Sequence, residues 1–171
     1  MAINELAAGS LEAHLATMNT ESFNETADIF VEKLNALGFN AEKIDSAITL
    51  DPVDNKISSS NKKKYYSFDF NSIPNSQQYD EIIFLYLEKA GSIRAYYGFI
   101  PTTPPNGYSK VSGMLVKVSD SELLWLAEQE EIVKVDKLWE QPPDYPNVTL
   151  VVEEAIESAK NYLIDNFFSQ D

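Results

Sequence analysis

Hydrophobic residues change their spacing along this chain, and the places where the spacing changes limit the folds open to it. Phe23, Ala27, Phe30, Leu34 and Leu37 follow one another at intervals of four and three, which puts them on one face of a helix. Gly38 stands where a left-handed cap closes a helix. From Tyr66 the interval drops to two: Tyr66, Phe68 and Phe70 share one side of an extended segment, with Ser67 and Asp69 on the other. Glu81–Glu88 is apolar on both sides, as a central strand requires. Lys89–Ser92 turns the chain into Ile93–Ile100, so these two segments predict a β-hairpin. Pro101–Gly107 contains three prolines, which lack the N–H a ladder needs, and predicts a stiff loop before a strand over Val111–Val118.

Ser119 and Glu122 have capping-box spacing, in which hydroxyl and carboxylate satisfy each other's backbone N–H groups. They predict a helix over 119–131 through Leu123, Leu124, Leu126 and Ala127. Ile132–Trp139 returns to strand character, and Gln141–Pro146 is a second rigid loop. Thr149–Phe168 predicts a helix with Val152, Ala155, Ile156, Ala159, Leu163 and Phe167 on one stripe, although Val148–Val152 could start it as a short strand. Residues 5–18 are weakly helical, Ala47–Leu50 could form a short strand, and Asp54–Asn61 is a polar loop. The class expected is α+β: a largely antiparallel sheet of four to five strands, with an N-terminal helix, an inserted helix and a C-terminal helix. One domain over 1–171 is expected, and residues 1–20 are the stretch that could hang as a loose arm.

Charge is distributed unevenly over the 171 residues. The net charge is −14, but residues 1–60 carry −7, 61–118 carry +3 and 119–171 carry −10. The mildly basic middle also holds 11 of the 20 aromatic residues, between Tyr65 and Tyr108. Acidic flanks argue against nucleic acid or an anionic membrane as the main partner, because phosphates are bound by clustered Lys and Arg. With 44% hydrophobic residues the chain is not a disordered acidic tail. Its longest apolar run, Ile82–Leu87, is too short to cross a bilayer, and Met1–Glu5 has no features of a secretory signal, so an intracellular or virion location is expected.

Catalytic sets are sparse. There is no cysteine, which removes disulfides, thiolate metal sites and a cysteine nucleophile. The single histidine, His14, has no Gly-x-Ser-x-Gly elbow to serve. The six glycines form no phosphate-binding spacing. Asp51, Asp54 and Asn55 form the one local oxygen cluster; it lacks the alternating ligands of a calcium loop and reads as a turn. Lys62–Phe70 interleaves basic and aromatic residues as a base-stacking platform does, but lysines also guard exposed strand edges, which suits a chain of this charge better. No cofactor and no metal are expected.

The candidate interaction residues are Arg94, Tyr96 and Tyr97 on the hairpin, Tyr108 beyond the proline loop, Trp125 beside a helical stripe, and the carboxylates Glu128, Glu130 and Glu131 on that helix's wet side. They point to a non-catalytic interaction protein, as a structural or assembly subunit of a larger complex such as a phage neck or tail component. The partner expected is protein, either further copies of this chain or a basic protein, with no nucleic acid and no membrane as main partner. An acidic inhibitor or immunity protein, with helices 119–131 and 149–168 facing a basic toxin or nuclease, is the second reading. A small-molecule enzyme with a carboxylate-only site is the third.

Overall fold

The computed structural model describes residues 11–18, 20–44 and 56–169. A helical stretch over residues 11–15 comes first. Helix α1, Glu25–Ala36, is followed by strands β1 (Ile57–Ser60), β2 (Lys63–Tyr66), β3 (Glu81–Ile93), β4 (Tyr96–Tyr97), β5 (Ile100–Pro101), β6 (Asn106–Lys117) and β7 (Leu123–Val133), then by helix α2, Pro146–Phe168. The fold is α+β. Its main sheet has three antiparallel strands in the order β3-β6-β7, and two small hairpins, β1-β2 and β4-β5, stand apart from it.

The central strand β6 shows Gly107, Ser109, Val111 and Gly113 to one face, all of them fully or nearly fully buried. These small side chains let α2 lie close against the strand: Ser109 Oγ donates to the Ala155 carbonyl at 2.7 Å. A Cβ at Gly107 would stand 2.0 Å from the Val151 carbonyl oxygen. Val148, Val152, Ile156, Ala159 and Leu163 of α2 meet Val111, Trp125 and Ala127 of the sheet, and Phe30 of α1 closes the cluster. The α2 stripe is the one its sequence spacing predicts. The helix begins at Pro146, whose missing N–H costs nothing at the first helical position.

The opposite face of the sheet is covered over half its length. Ile82 and Phe84 of β3, Met114 and Val116 of β6 and Leu123 of β7 are buried beneath Tyr66 and Ile73, with Phe68 and Phe70 packed alongside. Phe84 meets Phe68 edge-on at 5.0 Å between ring centres. Hence Tyr66, Phe68 and Phe70 do share an apolar side, although only Tyr66 lies within a strand. Tyr66 is fully buried, so the aromatic part of the Lys62–Phe70 run is core and not a stacking platform.

The predicted helix over 119–131 is instead β7. Ladder pairing with β6 overrides the local preference for helix, a tertiary effect that propensity does not see. Ser121 takes φ +61°, and Asp120 Oδ1 accepts from the Glu122 N–H in the tight turn that joins β6 to β7. Glu122 bridges to Tyr65 and holds Lys63 at 2.7 Å, so it caps no helix. Leu124 is an extra residue at a register shift: Leu123 pairs with Val116, and Trp125 with Leu115. That bulge lets Leu123 and Trp125 bury on opposite faces. Other expectations are corrected, among them the polar loop over Asp54–Asn61, which contains β1 because Ile57–Ser60 pairs with Lys63–Tyr66. The hairpin expected between Glu81–Glu88 and Ile93–Ile100 does not form: β3 runs on through Lys89–Ser92, where a turn was expected, because the start of β6 pairs with it as far as Ile93, and Tyr96–Pro101 folds back on itself as β4-β5. The strand expected over Ile132–Trp139 ends at Val133. The strand expected over Ala47–Leu50 lies outside the described residues.

Candidate functional site

Two surfaces carry side chains that folding leaves unused, and both lie toward the same end of the sheet. The first is the tip of the β4-β5 hairpin. Tyr97 pairs with Ile100 across a two-residue loop, Gly98-Phe99. Gly98 has φ +63° and Phe99 does not have positive φ, the pattern of a type II′ turn with glycine in its first central position. The turn presents apolar groups to solvent: Tyr97 is 81% exposed, Phe99 92% and Ile100 57%. Its base is braced. Thr102 N–H donates to the Ala95 carbonyl at 2.8 Å, Ala95 N–H to Thr103 Oγ1 at 2.9 Å, and Arg94 Nε to the Thr103 carbonyl at 3.1 Å. The Arg94 guanidinium also lies over the Trp139 ring, 4.7 Å from its centre. Arg94 therefore positions the hairpin, while Tyr96 and Tyr97 are displayed by it.

The second surface is the half of the sheet's other face that Tyr66, Ile73 and the rings beside them do not cover and where neighbouring side chains of the sheet themselves bury Ser112. Beyond Met114, that side of β6 carries Ser112, Lys110 and Tyr108. Ser112 lies between Tyr86 and Glu128, and Lys110 between Lys89 and Glu130. A register shift between Leu87 and Lys89 makes Glu88 the extra residue of a bulge, and it reaches Lys110 Nζ at 3.2 Å. The pair is mostly buried, with side-chain exposures of 22% for Lys110 and 13% for Glu88. Exposed Glu128 and Glu130 stand beside them.

This grouping shifts two protonation equilibria. The hydrogen bond to Glu88 holds Lys110 above the usual lysine range; burial opposes it, and the charges of Glu88, Glu128 and Glu130 reinforce it. Burial pushes the Tyr108 phenol up, helped by Glu130. Both groups hold their protons more tightly folded than unfolded, so the stability they contribute is intact below their unfolded values, about pH 10, and is lost as pH rises through the folded ones. The urea midpoint is expected to fall above about pH 10, and to fall less steeply in Glu88→Gln, whose Lys110 loses its partner. Equal slopes in the two proteins would remove Lys110 from the account.

The residues singled out by sequence divide among these places. Tyr96 and Tyr97 lie on the hairpin; Tyr108, Glu128 and Glu130 lie on the open half-face. Glu131 does not join them, because strand alternation turns it to the α2 side opposite Ser109, where Gln129 Nε2 donates to it at 3.0 Å. Trp125 is not a surface residue: it is 7% exposed, and its Nε1 donates to Asn166 Oδ1 at 2.9 Å. His14 Nε2 lies 2.8 Å from Thr149 Oγ1 and so ties the N-terminal segment to α2. Sequence reasoning missed Phe99 and Ile100, placed inside a strand, and Glu88, Lys110 and Ser112. The signal for Lys110 and Ser112 was the polar series at 108, 110 and 112; Glu88 had none, because its place depends on the register shift between β3 and β6.

Among the described residues no group of three His, Cys, Asp or Glu is placed to hold a metal ion, and no helix is long and apolar enough to cross a membrane. Asp51, Asp54 and Asn55 lie outside the described residues. No family model matches the chain, and no curated protein and no solved structure matches it either.

Proposed function

We propose that this chain is a non-catalytic assembly subunit whose copies associate through the β4-β5 hairpin. The observation that carries the reading is the exposure of Tyr97, Phe99 and Ile100 together on a turn whose base is held by three hydrogen bonds. A braced turn loses little conformational freedom on binding, so its apolar area is spent on association rather than on ordering. Ile93 and Ile132, both more than 40% exposed, extend the patch along the same end of the sheet. The segment that bears the hairpin is also the basic one, while both flanks are acidic, so copies attract one another through unlike regions.

Light scattering on the purified chain tests this at roughly 10–100 μM, the range in which a modest interface is populated. A mass that is a multiple of 19.2 kDa is expected, together with a monomer for Phe99→Asp of unchanged circular dichroism. A monomeric wild-type chain, or a Phe99→Asp variant that associates equally well, would overturn the reading. The exposed pair Glu128 and Glu130 favours a second reading, an acidic inhibitor of a basic protein. Its expected result is a monomer whose association rate with the basic partner falls steeply with salt.

A further inference from the structure

On the open half-face, two buried oxygens have no hydrogen-bond partner, Glu88 Oε1 and Ser112 Oγ. Ser112 is fully buried. The other oxygen of Glu88 is engaged by Lys110. A buried oxygen without a donor is unfavourable, and two on one face, beside the exposed carboxylates Glu128 and Glu130, ask for a cation with several N–H groups. We propose that this half-face is a binding site for a guanidinium group supplied by an arginine of a partner protein.

The chemistry selects that group over others. A guanidinium is flat and carries five N–H donors in a fan, more than any other side chain offers to a set of oxygens such as Glu88 Oε1, Ser112 Oγ and the carboxylates of Glu128 and Glu130. Its plane also stacks on aromatic rings, and Tyr86 and Tyr108 stand on either side of this stretch of the face. An ammonium concentrates its donors at one point and spans two strands less well. A divalent metal is disfavoured because, among the described residues, no group of three His, Cys, Asp or Glu is placed to hold one. An anion would meet three carboxylates. Lys89 is exposed at the outer edge of β3, so its charge lies at the rim of the site. A second copy is not the source: the chain has one arginine, Arg94, held by the Thr103 carbonyl and by Trp139. The site rests on the interaction reading only in taking its ligand from a protein, and it lies apart from the hairpin tip.

Backbone amide NMR of the full chain tests it by titration with a blocked Gly-Arg-Gly peptide, the matching Gly-Lys-Gly peptide, agmatine and magnesium chloride. The arginine peptide is expected to give saturable shifts at Glu88, Lys110 and Ser112, with a dissociation constant on the order of 1 mM. The lysine peptide is expected to bind about fivefold or more weakly, and Glu88→Gln to weaken the arginine peptide by roughly tenfold. If Glu88→Gln fails to fold, Ser112→Ala changes no charge and is expected to weaken binding about threefold to tenfold. Shifts that do not saturate, equal binding of the lysine peptide or magnesium, or indifference to both substitutions would overturn the site. Tighter binding of agmatine than of the arginine peptide would overturn the protein source. Phe99→Asp is expected to bind the arginine peptide as the wild type does, so loss of the hairpin reading and loss of this one are told apart.

Discussion

Trp125→Ala is expected to lower the free energy of unfolding by about 3–5 kcal/mol, a large part of the ~5–15 kcal/mol available to a domain of this kind. The indole sits where three elements meet. It packs edge-on against Phe167 of α2 at 4.8 Å and obliquely against Phe30 of α1 at 6.3 Å. The space above Gly113 is open for it, and a Cβ there would lie 2.4 Å from the ring. Alanine would leave a cavity bounded by backbone on one side and by aromatic rings on the other, which cannot all collapse into it. Trp125→Phe retains much of the ring contact and is expected to cost clearly less. Urea unfolding of both variants checks this, and a loss under about 1 kcal/mol for alanine would show that the residue is not central to the core.

Gly107→Ala is expected to cost about 3 kcal/mol, toward the upper end for overpacking, and to lower the melting temperature by roughly 6–12 °C. The added carbon would meet the Val151 carbonyl oxygen at 2.0 Å and the Val152 nitrogen at 2.7 Å. Both are backbone atoms of α2, so no side-chain rotation relieves the contact and the helix itself must move. Moving it strains the bond from Ser109 Oγ to the Ala155 carbonyl, one turn further along. A melting temperature within a degree or two of wild type would mean that the helix is free to slide over the sheet.

How much of this was legible in the sequence depended on whether local pattern and long-range pairing agreed. The stripe of α2 was plain because a helix satisfies its own backbone and the 3.6-residue period needs no distant partner; that of α1 holds at Phe23 and Phe30, but Leu37, past the helix end, is exposed. β7 was misread because Leu123-Leu124-Trp125-Leu126-Ala127-Glu128 is made of residues at home in a helix, and Leu124, as a bulge, hides the alternation. With β7 went the placement of Trp125 and the grouping of Glu128, Glu130 and Glu131, which a helix end keeps together and a strand divides between two faces. Tyr96 and Tyr97 were expected on a hairpin of Ile93–Ile100 with Glu81–Glu88; they lie instead on the small β4-β5 hairpin, because β6 takes the place beside β3. Phe99 was missed, since a two-residue turn is invisible inside a segment that looks continuously β. Glu88 owes its place to a one-residue register shift, which arises only once β3 and β6 are paired.

The order of elements also has a consequence during synthesis. Helix α2 covers strands that all precede it in the chain. At a translation rate of about 5–20 residues per second, the sheet can pair while the helix that will shield Val111, Trp125 and Ala127 is still being made. For that interval the growing chain shows a wide apolar sheet face to the cell, and β3 and β7 have open edges. A ribosome-bound chain tethered so that β7 but not α2 has emerged is therefore expected to recruit chaperones, and one tethered by a linker long enough for α2 to emerge as well is expected to release them.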